Sequence, residues 1–290
     1  MMPYDLGISS KLSNPMGTRI DDRTTRPAAV AGQFYPADPD RLRAEVSKLL
    51  AAAPTAAPSG RPKAIITPHA GYRYSGQIAA AAFATLEGSA KSIKRVVLIG
   101  PAHYVPFRGI AVPTVNAFAT PLGRVPLNSD AHVALAALPG VQAANAPHAP
   151  EHALEVELPF LQVLLPRFTA VLLLVGDARP EEVAAVLDRL WGSPEAVIVV
   201  SSDLSHFHDY VTAQRRDLET AAAIERGDWA ALGPNEACGY LAIAGLLVEA
   251  GRRGLKASRL ALCNSGDTAG PRNQVVGYGA WLFEDVQPSK

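Results

Sequence analysis

Short, unbroken apolar runs recur along the chain. Ala64-Ile65-Ile66-Thr67, Arg95 to Ile99, Ala170 to Val175 and Ala196 to Val200 are continuous rather than alternating. Runs of that kind fit strands covered on both faces. Between and after them lie stretches with helical patterning: Gln77 to Leu86, Pro180 to Leu190, Val211 to Arg226 and Ala237 to Ala250. Ser75 is placed to cap the first, and Pro180 suits an opening turn. Two further strands are expected at Arg259 to Cys263 and Gln274 to Phe283. In the second, Gly277 and Gly279 signal close backbone approach. The alternation predicts an α/β fold: a single domain with a central mostly parallel or mixed β-sheet, flanked by helices on both faces. Residues 1–25 are polar and aperiodic and are expected to form a mobile tail, leaving residues 26–285 as the domain. Ala53 to Pro62, rich in Pro, Ala, Ser and Gly, has the composition of a linker or surface loop.

Composition narrows the function classes. Hydrophobic residues make up 48% and charged residues 19%, which excludes a largely disordered chain. The formal net charge is zero, so no bulk attraction to nucleic acid or an anionic membrane is expected. No apolar run approaches the ~20 residues that span a bilayer. The N-terminus lacks the apolar core of a secretory signal, so the expected compartment is cytoplasmic. Cys238 and Cys263 are the two cysteines, expected as free thiols there.

In open α/β sheets, ligands bind beyond the carboxyl ends of the strands. Three expected strands end in segments with histidine: Thr67-Pro68-His69-Ala70-Gly71-Tyr72, Gly100-Pro101-Ala102-His103-Tyr104 and Ser201-Ser202-Asp203-Leu204-Ser205-His206-Phe207-His208. For either His69 or His103 alone, a loop histidine hydrogen-bonded to backbone is the better explanation. As a matched pair after proline turns, they favour metal ligation. Asp203 could orient His206 for proton transfer, or simply cap a turn. In Glu151-His152-Ala153-Leu154-Glu155, a helix would place His152 and Glu155 on one face. The second histidine of a metalloprotease helix is absent, so both are expected as wall or supporting groups. Cys238 opens a predicted helix, where a thiol can ionise, but composition alone makes it a small buried residue. Cys263, inside a strand pattern, is expected in the core. Nucleophile-elbow, Walker, dinucleotide and Cys-x-x-Cys motifs are absent from the sequence.

Together these segments resemble the Memo family. The resemblance rests on Ala31-Gly32-Gln33-Phe34-Tyr35-Pro36, Pro68-His69-Ala70-Gly71-Tyr72, Gly100-Pro101-Ala102-His103, Glu151-His152-Ala153-Leu154-Glu155, Ser201 to His206, and Asn264-Ser265-Gly266-Asp267 with Val276-Gly277-Tyr278. It runs from about Arg26 to Phe283. Bacterial and archaeal members are called AmmeMemoRadiSam system protein B, and the fold resembles LigB-type class III extradiol dioxygenases. The resemblance implies that His69, His103 and Cys238 are metal ligands, with Asp203 and His206 beside them as the catalytic pair. His152, Glu155 and Tyr72 are implied as site wall or supporting groups. The dioxygenases hold iron with two histidines and a carboxylate. A thiolate in the third place widens the metals to mononuclear Fe(II) or copper, with zinc open, and argues against ordinary ring cleavage. The implied reaction class is redox, oxygenase-like, on an unknown small-molecule substrate. Two other readings follow from the same residues. One is a metal-handling or peptide-binding module acting with an AMMECR-domain protein and a radical SAM enzyme. The other is a metal-dependent hydrolase.

Overall fold

A computed structural model of the chain describes residues 25–54, 60–192 and 194–285. Apart from Thr25, the expected tail lies outside the described residues, as do positions 55–59 of the expected loop. The strands and helices in chain order are β1 (Thr25–Arg26), α1 (Pro39–Ala52), β2 (Arg61–Thr67), α2 (Tyr72–Ala84), β3 (Arg95–Pro101), β4 (Ile110–Val112), β5 (Ala117–Thr120), β6 (Gly123–Pro126), α3 (Ser129–Ala136) and β7 (Val141–Ala143). There follow α4 (Leu158–Leu164), β8 (Thr169–Val175), α5 (Pro180–Trp191), β9 (Ala196–Ser201), β10 (His206–His208), α6 (Tyr210–Arg226), α7 (Tyr240–Arg252), β11 (Ala257–Asn264) and β12 (Val275–Asp285).

The main sheet is mixed, in the order β10-β12-β2-β9-β3-β8-β4-β7, with β11 also paired to β12. Its centre, β2-β9-β3-β8, is parallel. Antiparallel β12 flanks this block on one side and antiparallel β4 on the other. A small second sheet joins β1, β5 and β6. Each central strand alternates its side chains between two apolar layers, as the pleat requires. Ile65, Val96, Leu98, Leu172 and Val199 pack in one layer with α1, α2 and α4. Ile66, Val97, Ile99, Leu173 and Val200 pack in the other with α5, α6 and α7. Complete burial of each such side chain contributes about 1.5–3 kcal/mol. Two layers of this size can offset chain entropy without help from a metal. No helix among the described residues is long and apolar enough to cross a membrane.

Several element boundaries differ from expectation for identifiable reasons. Arg61 and Pro62, expected in the loop, begin β2 and pair with Asp285 and Glu284. Helix α2 starts at Tyr72 rather than Gln77, because the Tyr72 N–H is already taken by the Phe34 carbonyl. Ser75 therefore lies inside the helix, and its hydroxyl donates to the Ala70 carbonyl instead of capping. Helix α7 starts at Tyr240, not Ala237. The Cys238 N–H donates to the Asp203 carbonyl and the Gly239 N–H to Ser202 Oγ, which ties this turn to the end of β9. Gly277 meets the expected close approach: a β-carbon there would lie 2.1 Å from Asp217 Oδ2.

Candidate metal centre

Strands β2, β9 and β3 are neighbours, so their carboxyl ends release three loops side by side. The first carries His69, the second Asp203 and His206, the third His103. The His69 and His103 rings lie 5.2 Å apart, centre to centre. His152 arrives from the turn before α4, with its ring 4.7 Å from His103 and 5.4 Å from His69. One ring nitrogen from each of the three lies within 4.8 Å of the others. Cys238 reaches in from the α6–α7 connection, its Sγ 3.4 Å from His69 Nε2. Gly239 makes this approach feasible, since a β-carbon there would fall 2.7 Å from the Ser202 Cβ.

Supporting groups aim each ring. Glu151 is 2% exposed and accepts from His103 Nδ1 at 2.9 Å. It also accepts the backbone N–H groups of His103, His152 and Ala153. Burial alone would raise its carboxyl, but the bonds from His103 and these N–H groups outweigh burial and hold it below the ordinary carboxylate range. A carboxylate at Nδ1–H leaves His103 Nε2 as the free donor, the arrangement usual behind metal-bound histidine. His69 is 1% exposed, and its Nδ1 meets Ser201 Oγ at 2.7 Å. The His152 ring rests on Phe34 and beside Tyr104.

Burial dominates the electrostatics. It pushes His69 well below the usual imidazole range, and the repulsion that a protonated His69 would feel from protonated neighbouring histidines acts in the same direction. Burial likewise lowers His152 to about 4, against the opposing pull of Glu151. Both imidazoles are therefore neutral at pH 7, the form that binds metal. Burial, then the nearby Asp203, pushes the Cys238 thiol up, so without a cation it keeps its proton. The donor set is three imidazole nitrogens and one sulfur, which suits zinc, copper or iron and not magnesium or calcium.

Residues 26–282 match the family model described as Memo-like protein. The chain belongs to the Memo family. Its relatives include a MEMO1 family protein of Methanopyrus kandleri, 32% identical over 286 residues, covering 89% of this chain and 98% of the relative. A MEMO1 family protein of Aquifex aeolicus is 34% identical over 269 residues, covering 89% and 98%. One of Aeropyrum pernix is 35% identical over 277 residues, covering 88% and 98%.

On this Memo scaffold the candidate residues divide. His69, His103 and Cys238 come together, while His206 lies on β10 after the Asp203 loop. Asp203 does not pair with the His206 ring as expected. Its Oδ1 accepts the His69 N–H at 2.8 Å, and His206 Nδ1 donates to the Leu204 carbonyl at 2.8 Å. Two residues separated by a tight loop need not point the same way, and here the bulge after His206 turns it toward its own backbone. Glu155 does not share a face with His152, because residues 153–157 form turns rather than a helix. It is fully buried with Arg26, Tyr35 and the Ala29 and Val30 N–H groups. The Tyr72 hydroxyl donates to the Val156 carbonyl, and its ring packs on Tyr35 and Phe160 in the core. Cys263, expected in the core, is half-buried on β11, where it pairs with Tyr278 of β12. Two functional groups escaped the sequence reading. Glu151 was legible only as an acidic neighbour of His152, and Ser201 only as the first residue of the segment after an expected strand.

Proposed function

We infer that this Memo-family protein holds one metal ion through His69 and His103 with Cys238 as the third donor, and uses it for oxygenase-like redox chemistry on a small substrate. The convergence of two strand-end imidazoles on the Cys238 sulfur carries the reading. His152 is the competing third donor. Iron or copper bound there would supply one-electron chemistry and a Lewis acid. The chain's own residues supply placement and proton handling. Asp203 fixes the His69 loop through the His69 N–H, and Glu151 fixes the His103 ring. The Leu204 carbonyl can only accept, so His206 carries its proton on Nδ1 and keeps Nε2 as the basic nitrogen. Burial lowers its affinity for a second proton, which suits a general base at neutral pH. Tyr104, 53% exposed and beside His103 and His152, lies on the solvent side of the cluster.

A second reading rests on the same sulfur. A soft thiolate beside imidazoles also suits copper(I) held for delivery, as a module acting with an AMMECR-domain protein and a radical SAM enzyme would require. Protein isolated without air, analysed for metal and valence and then assayed for dioxygen uptake, separates the two. Stoichiometric iron or copper with uptake that depends on His206 supports the enzyme. Copper without uptake supports the second reading. Absence of stoichiometric metal after reconstitution overturns both.

A further inference from the structure

Behind His69 lies a hydrogen-bonded cluster of which the metal reading uses only the Ser201 contact. Ser201 Oγ stands 2.7 Å from His69 Nδ1, 2.7 Å from the Ala153 carbonyl and 3.0 Å from Glu157 Oε1. Glu157 Oε2 has Thr67 Oγ1 at 3.5 Å. Ser201 and Glu157 are both 0% exposed.

Counting hydrogens decides the protonation pattern. A serine hydroxyl has one hydrogen to donate and two lone pairs that accept. The Ala153 carbonyl can only accept, so the Ser201 hydrogen belongs to it. An ionised Glu157 would then face the serine oxygen lone pair to lone pair, with only the long Thr67 contact among the described residues to support a fully buried charge. A neutral Glu157 resolves this, because its own O–H can donate to Ser201 Oγ. The remaining lone pair of Ser201 then accepts from His69, which requires the proton on Nδ1. Burial, followed by the nearby Asp203, independently drives the Glu157 carboxyl well above its usual range.

We propose that Ser201 and Glu157 are positioning residues: Glu157, as the neutral acid, and His69 Nδ1–H both donate to Ser201 Oγ, which locks His69 in the tautomer whose Nε2 lone pair faces Cys238 and the metal position. The role rests on the metal reading above, but the tautomer itself exists without metal. In the metal-free protein that lone pair stands 3.4 Å from Cys238 Sγ, whose S–H has two acceptors in reach, this nitrogen and the Asp203 carbonyl at 3.6 Å. Metal binding then needs only loss of the thiol proton, with no ring flip or tautomer change at His69. Such hydrogen bonds behind a ligand typically account for ~10–100-fold in metal affinity.

The test has two arms. Long-range proton–nitrogen NMR on the full, metal-free chain should show His69 with its proton on Nδ1. A proton on Nε2 overturns the proposal, whatever the protein does with metals. Zinc(II), redox-silent and suited to this donor set, is then titrated against a chromophoric chelator. Ser201→Ala should bind it ~10–100-fold more weakly than wild type while keeping its circular dichroism. Glu157→Gln replaces the neutral acid with a neutral amide that can still donate to Ser201. It should keep the wild-type tautomer and near-wild-type affinity. A loss of ~10-fold or more in Glu157→Gln relative to wild type overturns the assignment of Glu157 as a neutral donor, and that comparison stands even if Ser201→Ala fails to fold. Wild-type affinity in folded Ser201→Ala overturns the positioning role. If the wild type itself binds no zinc, the metal reading fails, and the NMR arm still decides the tautomer.

Discussion

Glu151 is the residue on which the geometry of His103 depends. Its two oxygens collect one imidazole and three backbone N–H groups. Replacing it with Gln removes the charge and one acceptor oxygen. Glu151→Gln should weaken zinc binding ~10–100-fold, and leaving buried N–H groups unpaired should cost about 1–3 kcal/mol of stability. Chelator competition and urea unfolding check the two effects, and an unchanged value in both would remove Glu151 from the site. His206 has the opposite expectation. His206→Ala should leave metal content intact while turnover falls ~10²-fold or more, the scale for a lost general base. Loss of metal in that variant would make His206 a ligand. At this scale the sequence revealed His69 and His103, because strand-end placement is a property of the chain order. It could not reveal which way side chains turn within a loop. Asp203 therefore looked like the partner of His206 and is instead the partner of the His69 backbone.

The short strand β10 shows how an element can aim a residue. Its pairing with β12 slips between His206 and His208, and Phe207 there has φ 62°, the one positive value outside glycine among the described residues. A left-handed backbone costs a residue with a β-carbon roughly 1–2 kcal/mol. Phe207 is 69% exposed, so its ring does little burial to offset that. Phe207→Gly should therefore be at least ~1 kcal/mol more stable than Phe207→Val, whose branched β-carbon is least tolerant of this conformation. Equal urea midpoints for the two variants would mean that the bulge relaxes and carries no strain. The long central strands and helices α5 and α6 were legible from their patterning. Strands β4, β5, β7 and β10 were not, since three or four residues carry no periodicity to read. Helix α7 began late because tertiary hydrogen bonds claimed the N–H groups of Cys238 and Gly239.

Across the whole molecule, the two apolar layers hold the fold together, and the strand order places the candidate site. Buried neutral histidines tie stability to acid. His132, whose Nε2 accepts the Leu172 N–H, is lowered by burial to about 4 from 6.5. Between those values the unfolded chain binds more protons than the folded one. Stability is therefore unaffected by this group above pH 6.5 and is lost as pH falls toward 4. His132→Gln, which can still accept from Leu172, should flatten the urea-midpoint profile in that window, and an unchanged slope would count against it. The mixed sheet with helices on both faces followed from the alternation of apolar runs and helical stretches. The adjacency of β2, β9 and β3 did not, because chain order separates β2 from β9 by more than a hundred residues. That adjacency gives the central claim its direct test, the absorption fine structure of zinc-loaded protein. Expected is one sulfur at ~2.3 Å with at least two nitrogens at ~2.0 Å, the sulfur vanishing in Cys238→Ser. A shell of nitrogen and oxygen alone in the wild type would contradict the ligand set and give the third position to His152.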